Sequence, residues 1–324
     1  MSAFSPRTAF MDQIATTILS SGRSAVELAL FILLPIMIVM LSIMRWLEAR
    51  GLLHRIVRVV SPLLRPFGLT GLGVFALIQV SMVSFAAPIA TLAIMARNGS
   101  SPRHIAATLA MVLALAQANV VFPMAAAGLD IPTTLLLAIP AGLIAAAATY
   151  YGFGRTLSAE ESAPPSAELM PEADPEHGKL LQVIRRAGSD AWDIAMGALP
   201  LLVVALVAVN LIRLTGAISE LESLLSPLLT ALGFPQQTLL LAITKYIAGG
   251  TAMMGIAMEQ MQLGLLSAQD INLLAGLLLC PLDVAGVAIL IAAGKPVAAV
   301  VRPAIYGALI GIALRTAGHF WLFT

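Results

Sequence analysis

The sequence predicts an all-α polytopic membrane protein of two inverted repeats. Each repeat is expected to hold three transmembrane helices, one amphipathic surface helix and one re-entrant helical hairpin. Three observations carry this expectation. Of 324 residues, 59% are hydrophobic and 11% charged, with a mean hydropathy of +0.95; a soluble domain carries about 25% charged residues, and the remainder here cannot cover a water-facing surface. Apolar runs long enough to cross a hydrocarbon layer, about 20 residues at ~1.5 Å each, recur along the chain. The two halves also repeat one another in order and in detail.

The elements follow in order. Residues 1–22 have Arg7 and Asp12 inside what would be a signal peptide's apolar core, so they read as a short amphipathic helix at the interface rather than a cleaved leader. Leu28–Met44 is the first span. Gly51–Gly68 spaces apolar residues around Arg55, Arg58 and Arg65 and is expected to lie on the membrane surface. Gly71–Arg97 is long enough to cross but is interrupted at Ser84-Phe85-Ala86-Ala87-Pro88, where proline removes a backbone donor. Ile105–Leu129 and Ile131–Gly154 complete the first half as two charge-free spans. Thr156–Leu180, rich in Pro, Ser, Ala and acid, reads as a solvated linker.

The second half, 181–324, runs through the same order as the first, 1–155. Ile194–Ile212 is a span. Ala217–Gly233 is an amphipathic helix, here acidic through Glu220 and Glu222. Gln236–Glu259 is a second long but interrupted segment. Ile271–Gly294 and Val297–Gly318 are the last spans, with Arg302 and Arg315 near the ends of the latter, where long side chains snorkel. Pro35 aligns with Pro200, Ser61-Pro62-Leu63-Leu64 with Ser226-Pro227-Leu228-Leu229, Gly68 with Gly233, Gln117 with Asp283 and Gly128 with Gly294. Trp46, Trp192, Trp321 and Tyr150-Tyr151 fall at span ends, as an aromatic belt would.

Charge chooses between crossings and hairpins. If 71–97 and 236–259 return to the side they entered, most of the 18 Lys and Arg residues gather on one side, which the positive-inside rule makes cytoplasmic. The halves are then inverted and both chain ends face outward. Full crossings would scatter the same charges over both sides.

Several functions are excluded. A net charge of +1 offers no basic surface for nucleic acid. Cys280 is the single cysteine, and no metalloprotease, nucleotide-loop or nucleophile-elbow motif is present. The four histidines fall at span ends or in the linker, where they read as solvated. No enzyme activity and no cofactor or metal is expected. Gly307 and Gly311 have the spacing of a helix-packing motif.

Polar groups at bilayer depth carry the functional signal, since a charge there costs about 2.5–3.5 kcal/mol on insertion scales. Lys245 lies in the first arm of the second hairpin and Asp283 in the middle of LLLCPLDVAGVA. They are expected to form an ion pair, a ligand or ion site, or both. Lys245 aligns with Val80, flanked by Gln79 and Ser81, and the mate of Asp283 is Gln117, beside Asn119. A helix that stops inside the membrane points unpaired N–H groups and about half a positive charge beyond its end. Ser81 and Ser84 in the first hairpin, and Thr244, Gly249, Gly250 and Thr251 in the second, are therefore further candidates for substrate or ion binding, with helix packing by small residues as the alternative.

These residues also carry a resemblance. LLPIMIVML, SPLLRPFGL and SMVSFAAPIATLAIM in the first half, with ALPLLVVALV, SPLLTALGF, ITKYIAGGTAMMG and CPLDVAGVA in the second, resemble the nucleoside-recognition, or Gate, domain family of bacterial membrane proteins. Nearly the whole chain is covered, as two fused Gate-like copies. The family is similar to the re-entrant-hairpin core of concentrative nucleoside carriers, and the resemblance implies translocation of a small molecule or ion. It does not imply nucleosides, because the domain name describes a similarity of fold, and the glutamate-rich binding hairpins of those carriers are missing here. The expectation is a secondary transporter of a small polar or anionic solute or ion in the bacterial inner membrane. The alternatives are a non-transporting scaffold or regulator, or a passive channel. The expected partners are the bilayer and the transported solute; a homo-oligomer is compatible with the sequence.

Overall fold

A computed structural model describes residues 6–160, 180–231 and 233–324; most of the expected linker, residues 161–179, lies outside these. All regular structure among the described residues is helical. The first half opens with α1 (Pro6–Glu27), a π-helical turn (Leu28–Leu33) and α2 (Leu34–Ala49) in one unbroken rod. Then come the surface helix α3 (Leu52–Leu64), the hairpin arms α4 (Gly71–Met82) and α5 (Pro88–Arg97), the broken pair α6 (Pro102–Ala114) and α7 (Ala118–Met124), and α8 (Ile131–Ala147). The second half repeats the series: α9 (Leu180–Leu214), α10 (Ala217–Ala231), α11 (Thr238–Ala248), α12 (Gly250–Gln262), α13 (Ala268–Leu278) and α14 (Val284–Ile291). A short α15 (Lys295–Ala299) precedes the closing α16 (Val301–Phe323). Every element of the first half thus has a mate in the second.

The mates pack antiparallel, which is what inversion requires. Arg45 pairs with Asp190, while Asn210 Nδ2 donates to Ser21 Oγ at 3.1 Å, so α1–α2 and α9 run in opposite directions. On α16, a methyl at Gly311 would lie 2.6 Å from Ala141 O, and one at Gly318 would lie 2.9 Å from Leu137 on α8. Gly307 likewise abuts Thr149 and Ala145. The 307/311 spacing therefore works as expected, bringing α16 and α8 into backbone contact.

Local chemistry sets the boundaries. Ser101 and Ser267, repeat mates, each accept the backbone N–H three residues on, at 3.2 and 3.1 Å, and so start α6 and α13. Gly68 and Gly233, also mates, take φ of 77° and 75°, where a side chain would be strained. Asp130 caps α8: its carboxylate accepts from Thr133 N at 3.1 Å and from the Thr133 hydroxyl at 2.7 Å. These bonds hold its pKa below the usual value. A depressed carboxylate stabilises the fold above its unfolded pKa, and the contribution is lost as pH falls through the folded one. Asp130→Ala should therefore cost about 1 kcal/mol at neutral pH, and the gap from wild type should narrow in thermal unfolding as pH falls through and below the ordinary carboxylate range.

The structure corrects three expectations. Residues 6–22 are not a separate surface helix; they continue into the first span, which qualifies as a crossing over Asp12–Ala49. The segments expected as continuous spans at 105–129 and 271–294 each unwind inside the protein, at Leu115–Gln117 and at Leu279–Asp283. His319 is not solvated: it is buried and its Nδ1 lies 2.7 Å from Asn272 O. Among the described residues four helical stretches are long and apolar enough to cross, one of them Pro102–Ala127 counted across its break. The two interrupted segments form hairpins whose arms pack on each other. The first arm, α4, turns by 104° from the direction of α3.

Candidate functional site

The two broken helices meet at their breaks. Gln117, the residue before α7, donates its backbone N–H to Leu279 O at 3.0 Å and its side-chain Nε2 to Cys280 O at 3.2 Å. The unwound backbone of one half is thereby satisfied by the other, the condition for non-helical chain at membrane depth.

Asp283 and Gln117 occupy the same structural position, each immediately before the second segment of its broken helix. Asp283 Oδ1 accepts from Gly286 N at 2.6 Å and caps α14, while Oδ2 pairs with Lys245 Nζ. The pair is dry, with 0% and 4% of the two side chains exposed. Lys245 sits in the last turn of α11, where a cation suits the helix C-terminus. One residue, Gly249, then reverses the chain at φ 93° and ψ 170°, a conformation side chains avoid. Gly250 opens α12, and a methyl there would overlap Gln117 Nε2. Lys245, Gly249, Gly250, Asp283 and Gln117 therefore form one group where hairpin two touches both breaks.

The other candidates fall elsewhere or have their groups engaged. Thr244 is buried, but its hydroxyl donates to Leu240 O at 2.8 Å within its own helix. Thr251, half-buried, is the second residue of α12. In hairpin one, Gln79 Oε1 accepts from the Thr91 hydroxyl at 2.7 Å and ties the two arms together. Ser84 lies buried in the tip, its N–H bonded to Gln79 O at 3.1 Å. Ser81 Oγ and, on α7, Asn119 Oδ1 are buried without a hydrogen-bond partner. Among the described residues no hydrogen bond joins these groups to Lys245 or Asp283.

The helix ends also correct the symmetry by one residue. Val83, which ends α4, donates to Gln79 O at 2.9 Å; Gly249, which ends α11, donates to Lys245 O at 3.0 Å. Counted from these ends, the mate of Lys245 is Gln79 rather than Val80. The first half thus carries Gln79 and Gln117 where the second carries Lys245 and Asp283. The tips differ too, with five residues (Val83–Ala87) in one and a single glycine in the other.

Sequence reasoning missed Arg315. It does not snorkel from a span end: it is 1% exposed and stands fifteenth of the 23 residues of α16. Its Nε and Nη2 donate to Gly276 O at 2.9 and 2.8 Å, and Nη1 to Ala114 O at 3.0 Å. These carbonyls belong to the last turns of α13 and α6, so one guanidinium binds the negative ends of both broken helices. The observed helix runs on to Phe323, which leaves Arg315 about 12 Å from the end of α16 at ~1.5 Å per residue, too far for a snorkelling side chain. Asn272 was missed as well. Its side chain accepts from Asp130 N at 2.7 Å and donates to Gly128 O at 2.9 Å, joining the halves near one end of the broken helices. Among the described residues there is no cluster of three or more His, Cys, Asp or Glu fit to hold a metal.

No protein-family model and no curated protein sequence matches the chain. Its fold does match solved structures of the concentrative nucleoside transporter CNTnw. The inward-facing, substrate-bound state aligns over 99% of this chain and 87% of that one, with TM-score 0.66 and 16% identity. Two outward-facing variants align over 99% of this chain and 88% and 87% of theirs, with TM-scores 0.64 and 0.67 and identities of 18% and 17%. At such identities the likeness is one of fold. The chain is an all-α, multi-pass membrane protein whose fold resembles that of CNTnw.

Proposed function

We propose that the chain is a secondary transporter of a small polar or anionic solute or ion in the bacterial inner membrane, working by alternating access. The observation that carries this reading is the buried Lys245–Asp283 pair, which ties the tip of a re-entrant hairpin to a mid-membrane helix break. Such junctions are where repeat transporters place substrates. Asp283 caps α14 and also faces Lys245, so a solute carboxylate or phosphate reaching Lys245 competes with it directly. Gln117, Gly249, Gly250 and Thr251 supply neighbouring polar groups, and Thr244, Gln79, Ser81, Ser84 and Asn119 are the further polar groups we assign to the path, in the two hairpins and α7. The fold shared with CNTnw, captured in inward- and outward-facing states, supports alternating access. We assign residues 1–155 and 181–324 to two Gate-like copies joined by 156–180.

The pair is buried and each partner answers the other's charge. This favours one second reading, a non-transporting scaffold in which the pair only holds the fold together. Proteoliposome uptake with a panel of small anions and polar solutes separates the two. A transporter shows saturable uptake that Asp283→Asn and Lys245→Ala each reduce at least tenfold. Unchanged transport of an identified solute in both variants would refute the site.

A further inference from the structure

Helix α3 has three faces rather than two. At 100° per residue, Leu53, Val57 and Leu64 share one stripe and are buried against the protein. Ile56, Val59 and Leu63 share a second and are 42%, 76% and 72% exposed. Arg55 and Arg58 form the third, continued by Arg65 in the following turn, and all three are exposed. No carboxylate among the described residues pairs with any of these arginines. An apolar stripe beside a cationic one, both free of protein, fits a helix lying in a leaflet, with acyl chains against Ile56, Val59 and Leu63 and headgroups against the arginines. The mate helix α10 keeps exposed Leu224 but carries exposed Glu220 and no Lys or Arg. Inversion places it on the opposite face of the membrane.

We infer that α3 is a docking surface for anionic phospholipid, held through Arg55, Arg58 and Arg65, and that α10 has no such preference. This stands independently of the transported solute. The full-length protein in vesicles of equimolar phosphatidylcholine and phosphatidylglycerol, read by native mass spectrometry, should retain phosphatidylglycerol preferentially. Each arginine should contribute about fivefold, the equivalent of ~1 kcal/mol per basic residue at an anionic surface. The triple variant Arg55→Gln, Arg58→Gln, Arg65→Gln should lose the preference while Glu220→Gln keeps it. The three single variants show graded losses should the triple fail to fold. Equal retention of the two lipids by the wild type, or an undiminished preference in the arginine variants, would overturn the inference. So would a preference that emerges only when residues 161–179 are deleted, because the acidic linker would then be the ligand of these arginines.

Discussion

Replacing either member of the Lys245–Asp283 pair alone should destabilise the protein by about 3–5 kcal/mol, the usual penalty for leaving a buried charge without its partner. Lys245→Met leaves a carboxylate answered only by the Gly286 N–H. Asp283→Asn keeps the cap, since Asn caps as well as Asp, but leaves an ammonium inside the fold. The double variant removes both charges and keeps the cap, so it should recover most of the loss, with a coupling of about 2 kcal/mol or more. Unfolding in detergent, followed for the two single variants and the double one, measures that coupling. Additive penalties would mean that the pair contributes nothing as a pair. Combined with uptake, the same double variant separates holding the fold from handling a solute: if the pair handles the solute, the double variant keeps its stability and loses its flux, whereas a pair that only holds the fold leaves any flux unchanged.

Arg315→Met should cost on the order of 3 kcal/mol. It removes three hydrogen bonds from a charged donor and strands Gly276 O and Ala114 O without partners. Arg315→Lys should recover less than half of this, because an ammonium on one stem cannot reproduce a planar fork that reaches two helices. Amide exchange offers a more specific readout than global stability. If the guanidinium positions the breaks, the amides of Gln117 and Leu279 should exchange faster in Arg315→Lys while those of α10 stay unchanged. Full stability and unchanged exchange in the lysine variant would show that charge alone suffices.

Much of the architecture was legible because its signals are local or periodic. The SPLL repeats, the glycine mates and the order of apolar runs announced a duplication, and Pro88 and Gly249 marked both hairpins. The pairing of Gln117 with Asp283 came from alignment and corresponds to equivalent cap positions. The break at Leu115–Gln117 was not legible. Its surroundings are good helix formers, and what opens the helix there is a partner in the other half, Leu279 O. The break at Leu279–Asp283 did carry a mark, Pro281, but a charge-free run of span length outweighed it. Arg315 escaped notice because its partners are main-chain carbonyls, which leave no trace in side-chain patterns. The exchange of Lys245's mate from Val80 to Gln79 shows how one added residue, between the Gly68/Gly233 turns and the ends of the first hairpin arms, hides a polar symmetry from a fixed-offset comparison.

The crossing of the two breaks has a consequence for how such a chain can exist at all. Gln117 closes the gap in its twin, and Arg315, from the second copy, closes the end of α6 in the first as well as α13 in its own. Neither copy carries a full set of donors for its own interrupted helix. A lone copy would have to find an opposite-facing twin in the bilayer before its main chain was complete. Tethering both in one polypeptide fixes their stoichiometry at one to one, and it lets the residues at equivalent places diverge, neutral in one copy and ionic in the other.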